Sequence, residues 1–299
     1  MARKSSSDSG GIVFKTGLFA ILAGLAFWIF NQFSGKKNSE PEPGPRTELP
    51  QVPVSGPSTV SDELLPQSTT GDIVRHTYYT LSYAEEHEQA EWVAYELTRD
   101  RLNENWVERA TSFRPDPAVR TESATPRDYS GSGYDRGHLC PAADMAFDTL
   151  AMSESFFMSN MSPQVKAFNG GIWRELEECT RDWARKFNHL YVVTGPVLSR
   201  PGKGQIGFSK VTVPAAYFKV LLAPEQQQAI AFVLPNEMNT RPVMDFVGTI
   251  NQAEKLTGLD FFPKLLNGEK EALEDQLDKE AWPVNQNRYK KRLDEWNSR

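Results

Sequence analysis

The chain is short of two residue types that organise many folds around metals or bridges: it has two cysteines, Cys140 and Cys179, and four histidines in 299 residues. Two cysteines cannot make a disulfide framework, so their number fixes no redox compartment. His138, Cys140, Cys179 and His189 are spaced as H-x-C and C-x₉-H, without the short paired spacings of a structural zinc module. Positive charge is also scarce. With 33 Lys and Arg against 39 Asp and Glu, the net charge is −6, so the bulk field draws no polyanion from a distance and an anionic ligand requires a local basic site. No internal repeat is present, which excludes solenoids and propellers. No aromatic stacking module or base-reading helix is visible either. What the chain does have is 39% apolar residues, enough to build a core in one larger domain or two small ones.

The first thirty residues form a unit of their own. After a short polar N-terminus, 1–11, Ile12 to Phe30 reads IVFKTGLFAILAGLAFWIF, nineteen positions with a single charge, Lys15. As a helix this is about 28 Å long at ~1.5 Å per residue, sufficient to cross a bilayer. Trp28 and Phe33 fall at interfacial depth, and no small-residue cleavage site follows. The pattern predicts an uncleaved transmembrane anchor over 12–33 rather than a removed signal peptide. Arg3, Lys4 and Lys15 on one side face Lys36 and Lys37 on the other; the expectation is a cytoplasmic N-terminus with the rest extracytoplasmic. Residues 34–71 hold seven prolines among serines and acids. Such a composition buries too little surface to offset its ordering entropy, which predicts a disordered linker.

A globular domain is expected over 72–267. IVRHTYYTLSY and EWVAYELT read as a hairpin, and HLYVVTGPVL, KVTVPAAYFKVLL and QAIAFVLPN as further strands. In GGIWRELEECTRDWARKF, Ile172, Leu176, Cys179, Trp183 and Phe187 recur at helical spacing. PVMDFVGTINQAEKLTG predicts a second helix that stops at Gly258. The charged tail, 268–299, reads as a solvated helix over the surface. Strands with intervening helices make the domain α+β.

Two stretches carry chemistry. YDRGHLCPAADM, 134–145, places Asp135, Arg136, Gly137 and His138 side by side. On the helix, Asn169, Trp173, Glu177 and Arg181 follow at four-residue steps along one side. Taken singly these residues have plain structural readings: Asn169 as an N-cap or an Asn-Gly turn, Glu177 and Arg181 as a surface pair, His138 as a solvated loop residue. The two cysteines have two readings, as buried small residues or as a bridge between the two stretches.

Their combination and order say more. YDRGHLCPAADM, then MSNMSPQ at 158–164, FNGGIWRELE at 168–177 and VVTGP at 192–196 resemble the DNA/RNA non-specific endonuclease family over about Ile73 to Pro263. That resemblance implies a ββα-metal nuclease domain on an antiparallel sheet with flanking helices. It makes His138 the general base and Asn169 the protein ligand of one Mg²⁺, or another divalent cation such as Mn²⁺. It places Glu177 in the water shell of the metal, Arg136 and Arg181 at the phosphate, and Asn160 and Gln164 near the substrate, while Asp135 is expected to orient its neighbours. Arg109 and Arg114 compete for a further phosphate-binding arginine. The implied function is membrane-anchored, metal-dependent hydrolysis of DNA and RNA, with the membrane contacted through residues 12–30.

The chemistry is self-consistent. A neutral imidazole can take a proton from an attacking water. Mg²⁺ keeps several waters and needs few protein ligands. Grip on phosphate and sugar alone explains indifference to base. The alternative is a catalytically silent nucleic-acid-binding protein on the same fold. Nothing in the pattern specifies a protein inhibitor or a dimer partner.

Overall fold

The computed structural model describes residues 60–67, 70–104, 106–264 and 270–297. The expected anchor, 12–33, lies outside them. Among the described residues no helix is long and apolar enough to cross a membrane.

Seven strands form one antiparallel sheet. In chain order they are β1 (Asp72–Arg75), β2 (Tyr79–Ala84), β3 (Gln89–Thr98), β6 (His189–Pro196), β9 (Ala216–Ala223), β10 (Gln228–Pro235) and β11 (Val247–Gly248), and they lie side by side in that same order. Two-residue alternation divides them between two cores. In β3, Val93, Tyr95 and Leu97 join a core with Trp173, Leu176, Trp183 and Phe187, whereas Trp92 and Ala94 join one with Ile250, Ala253, Phe261 and Phe262. The first core lies under the helix α3 (Arg174–Phe187), the second under the helix α4 (Ile250–Thr257). Sheet and helices make an α+β fold, as expected. All five of the apolar helix positions, from Ile172 to Phe187, are buried.

Two expected strands are each broken in two. The run 73–83 turns at His76, whose N–H donates to the Tyr79 carbonyl at 2.9 Å. The run 210–222 splits into β8 (Val211–Thr212), paired with β7 (Gln205–Ile206), and β9; Pro214 between them has no N–H to give to a ladder. The expected helix over 242–258 starts only at Ile250. Thr249 and Gln252 form a reciprocal capping box there, and Gly258 ends the helix at φ 78°.

Two domain boundaries also change. Val60 and Leu64, inside the expected linker, are 5% and 0% exposed and pack into the core under α4. Apolar burial therefore begins before residue 72. The tail is not a solvated helix: it comprises α5 (Lys270–Glu274) and α6 (Gln286–Asn297), with Trp282 buried between them. Arg288 of α6 pairs with Glu178 and Asp182 of α3, and Arg292 with Glu175. Opposite charges on two helices dock the tail.

The site rests on a separate ribbon. β4 (Tyr134–His138) and β5 (Met161–Val165) pair antiparallel, with Asp135 opposite Gln164 and His138 opposite Met161. A helical turn at 166–168, a π turn over Asn169–Trp173 and then α3 follow directly. The short helices α1 (Arg99–Asn103) and α2 (Thr149–Glu154) flank the irregular segments on either side of β4.

Candidate active site

The ribbon and α3 enclose an open cleft of about 720 Å³. Asp135, Arg136 and His138 line it from β4, and Asn169, Glu177 and Arg181 from the helical side. Six of the eight residues named from sequence are thus brought together from two stretches more than thirty positions apart.

Ribbon geometry sets the first group. Arg136 and His138 are two residues apart, so they project from the same face of β4. Gly137 between them is needed for close approach: a Cβ there would lie 2.2 Å from the Gln164 side chain. His138 is 9% exposed, flanked by Phe156 at 4.9 Å and Phe113 at 5.8 Å between ring centroids. Its Nε2 is buried with no hydrogen-bond partner. Burial, with the Arg109 guanidinium adding to it, depresses the imidazole to about 3. The ring is therefore neutral at pH 7, and an arriving phosphate anion raises its basicity.

The helical side is shaped by a local irregularity. Asn169 opens the π turn, and Gly171 within it departs from helical geometry at φ −109°, ψ −112°. A π turn spaces residues differently from an α turn. As a result the four-step rail is interrupted: Asn169 and Glu177 line the cleft, while Trp173 is fully buried against Phe168 and Tyr217. Asn169 Nδ2 donates to Asp135 Oδ2 at 2.9 Å. That bond commits the amide nitrogen and leaves the carbonyl oxygen for another partner.

Glu177 is half-buried. Desolvation by burial pushes its carboxyl up to about 7, against the pull of Arg181 and Lys219. Arg181 donates to Asp144 Oδ1 at 2.8 Å, and Asp144 also accepts from the Tyr95 hydroxyl at 2.8 Å. Burial disfavours the Arg181 cation, but Asp144 and Glu177 outweigh it and raise the guanidinium above its ordinary value. Lys219 is fully buried beneath the helix, with Nζ 5.1 Å from the centre of the Trp173 ring and no hydrogen-bond partner. Burial lowers its ammonium while Glu177 and Asp144 oppose that.

Two expected substrate contacts need correction. Asn160 is fully buried and its amide is spent on main chain: Nδ2 donates to the Cys140 and Ser155 carbonyls and Oδ1 accepts from the Cys140 N–H. It holds the turn after His138. Gln164 is likewise fully buried, behind Gly137, and does not line the cleft. Between the two upstream arginines the geometry discriminates. Arg109 lines the cleft and lies over Phe156 at 5.1 Å, whereas Arg114 is tied to the Ser153 carbonyl and hydroxyl. The cysteines are free and buried, so no bridge joins the two stretches.

Sequence reasoning missed Asp144, Tyr95, Lys219 and the cleft-lining Trp106. Asp144 had a signal, an acid in the quoted 134–145 stretch. Lys219 had one too, as a lone cation inside an apolar strand.

The oxygen donors fit a hard divalent ion: an amide carbonyl fixed in orientation by Asp135, and the Glu177 carboxyl farther along the same helical wall. The chain is also similar to known proteins. The chain is 39% identical over 215 residues to Nuclease C1 of Cunninghamella echinulata var. echinulata, covering 66% of this chain and 85% of that protein. It is 36% identical over 203 residues to human mitochondrial Endonuclease G, covering 63% of this chain and 68% of that protein. The match to mouse mitochondrial Nuclease EXOG, at 32% identity, spans 57% of that protein's length. A crystal structure of an EndoG/EndoGI complex, concerned with the mechanism of EndoG inhibition, superposes with a TM-score of 0.61 at 30% identity, covering 66% of this chain and 87% of the other. The DNA/RNA non-specific endonuclease family model matches residues 56–267, and the chain belongs to that family.

Proposed function

We propose that this protein is a metal-dependent endonuclease that hydrolyses phosphodiester bonds in DNA and RNA. The observation that carries the reading is the convergence, in one cleft, of a neutral unpartnered imidazole and an amide oriented by a carboxylate. Asn169 would hold Mg²⁺ or Mn²⁺ through its carbonyl oxygen, with Glu177 beside the ion's waters. A bound divalent cation would supply charge stabilisation at the reacting phosphate.

The chain's own groups do the rest. His138, neutral at working pH, accepts a proton from the attacking water. Phe113 and Phe156 limit solvent around the ring and fix its plane. Asp135 keeps the Asn169 amide in one orientation, a role of the kind that supports ligand geometry. Arg136 and Arg109 offer guanidinium donors to non-bridging oxygens. Arg181, one edge held by Asp144, adds positive potential at the helical wall. None of these groups reads a base edge, which accounts for action on either nucleic acid.

We also propose that residues 12–30 anchor the chain at a membrane with the nuclease domain on the extracytoplasmic side. The support is the apolar run and the proline-rich stretch after it.

The test of activity is incubation of the purified full chain with supercoiled plasmid and with RNA, with Mg²⁺ and with EDTA. Cleavage of both that EDTA abolishes is expected. Binding of either polymer without cleavage, at any divalent concentration, would favour the silent binding protein instead.

A further inference from the structure

Trp92, Trp173, Trp183 and Trp282 are at most 1% exposed. Trp106 is 59% exposed and lines the same cleft as His138, Arg109 and Asn169. It is not on a loose end. The next residue, Val107, donates its N–H to the Ala146 carbonyl at 2.8 Å, and the segment is pinned again where the Arg114 N–H meets the Phe156 carbonyl at 3.3 Å. The indole is thereby presented at the rim beside the cationic wall of the cleft.

We propose that Trp106 is a nucleobase subsite, stacking on an unpaired base next to the phosphate held over His138. The proposal rests on the nuclease reading of the cleft. Its physical basis is that the rest of the cleft offers guanidinium groups and oxygen donors suited to phosphate and metal; among the described residues that line it, the one other hydrophobic ring, Phe113, is partly buried against His138 and Phe156. With a net charge of −6, the chain gains little from long-range attraction to the backbone, so a short-range contact matters more. An indole face accepts any of the bases, because each has a π surface, and the contact adds grip without sequence preference. Inside a duplex both faces of a base are covered by its neighbours. The subsite therefore favours single strands, loops and frayed ends over intact duplex.

The experiment uses the full chain with Mg²⁺, as parent, Trp106→Ala and Trp106→Phe. The substrates are a single-stranded oligonucleotide, the same strand carrying a run of abasic nucleotides, and its duplex. On the base-bearing single strand Trp106→Ala is expected to raise KM at least about fivefold, with most of the effect in KM rather than kcat, and Trp106→Phe to recover most of it. The parent-to-variant ratio should fall towards one on the abasic strand and be smaller on duplex. An equal loss on base-bearing and abasic strands would overturn the proposal, as would no loss on either. So would a change in sedimentation on Trp106→Ala, which would make the rim a contact between copies of this chain. A parent that cut none of the substrates would end the nuclease reading and the subsite with it.

Discussion

Two buried imidazoles, on either side of the Phe156–Phe157 pair, are treated in opposite ways. His76 is 2% exposed; its Nε2 lies 2.9 Å from Asp116 Oδ2, and its ring stacks on Phe157 at 5.1 Å. Asp116 also accepts from the Ser159 hydroxyl and the Ala118 N–H. Burial alone would raise that carboxyl, but the hydrogen bonds from His76 and the other donors outweigh it and hold Asp116 below the ordinary carboxylate range. His138, nearly as buried, contacts Phe156 and has no partner at Nε2. A satisfied buried polar group stabilises a fold, while an unsatisfied one costs stability and is kept where it does something else. The first histidine ties β1 and β2 to the loop at 116; the second faces a cleft.

This contrast can be broken or sharpened by substitution. The largest effect is expected on the cleft side from Asn169→Ala. Loss of the oriented carbonyl should lower cleavage by on the order of 10²-fold or more, with metal affinity down about 10–100-fold and partial recovery at high Mg²⁺; titrating rate against metal concentration checks both. Next, His76→Ala leaves Asp116 buried without its main partner. Unfolding stability should fall by about 2–4 kcal/mol, measured by denaturant titration, with cleavage per folded molecule retained.

Smaller still is the effect of Glu177→Gln. The folded-state carboxyl titrates near 7 against an ordinary 4.5. Between those values the folded chain binds more protons than the unfolded one, so stability falls as pH rises through that window. Removing the ionisable group should flatten this slope and stabilise the metal-free protein by roughly 1–3 kcal/mol at pH 8, with no gain at pH 4. Thermal melts at the two pH values decide it. The smallest effect is that of reductant: with Cys140 and Cys179 both free, dithiothreitol should leave Tm unchanged, and a drop of several degrees would show a bridge.

How far this could be read from the chain depends on how local each feature is. Runs of β-branched and aromatic residues gave the strands β3 and β9, and helical spacing gave the buried side of α3, because each is fixed by neighbours within a few residues. Asp135 through His138 and Asn169 were legible for the same reason, as compact motifs. The strand breaks at His76 and Pro214 were not assigned, since strand-forming residues resume within a few positions on either side of each. Asp144, Tyr95 and Arg181 meet across 37 and 49 positions, and no local period encodes that. Trp106 and Arg109 sit on a stretch without periodicity, which gave no face to assign. The docking of α6 was hidden because charged residues read as solvated until Glu175, Glu178 and Asp182 are seen beneath them.

The central claim is that His138 works as a base while His76 holds structure. The direct measurement sets His138→Ala beside His76→Ala and the parent, recording plasmid and RNA cleavage at neutral pH and thermal unfolding on the same samples. His138→Ala should lose about 10²–10⁴-fold in rate and keep its Tm within a few degrees, whereas His76→Ala should lose Tm and keep its rate. If His138→Ala cut both polymers within about threefold of the parent, too small a loss for a general base, the account of this cleft would be contradicted.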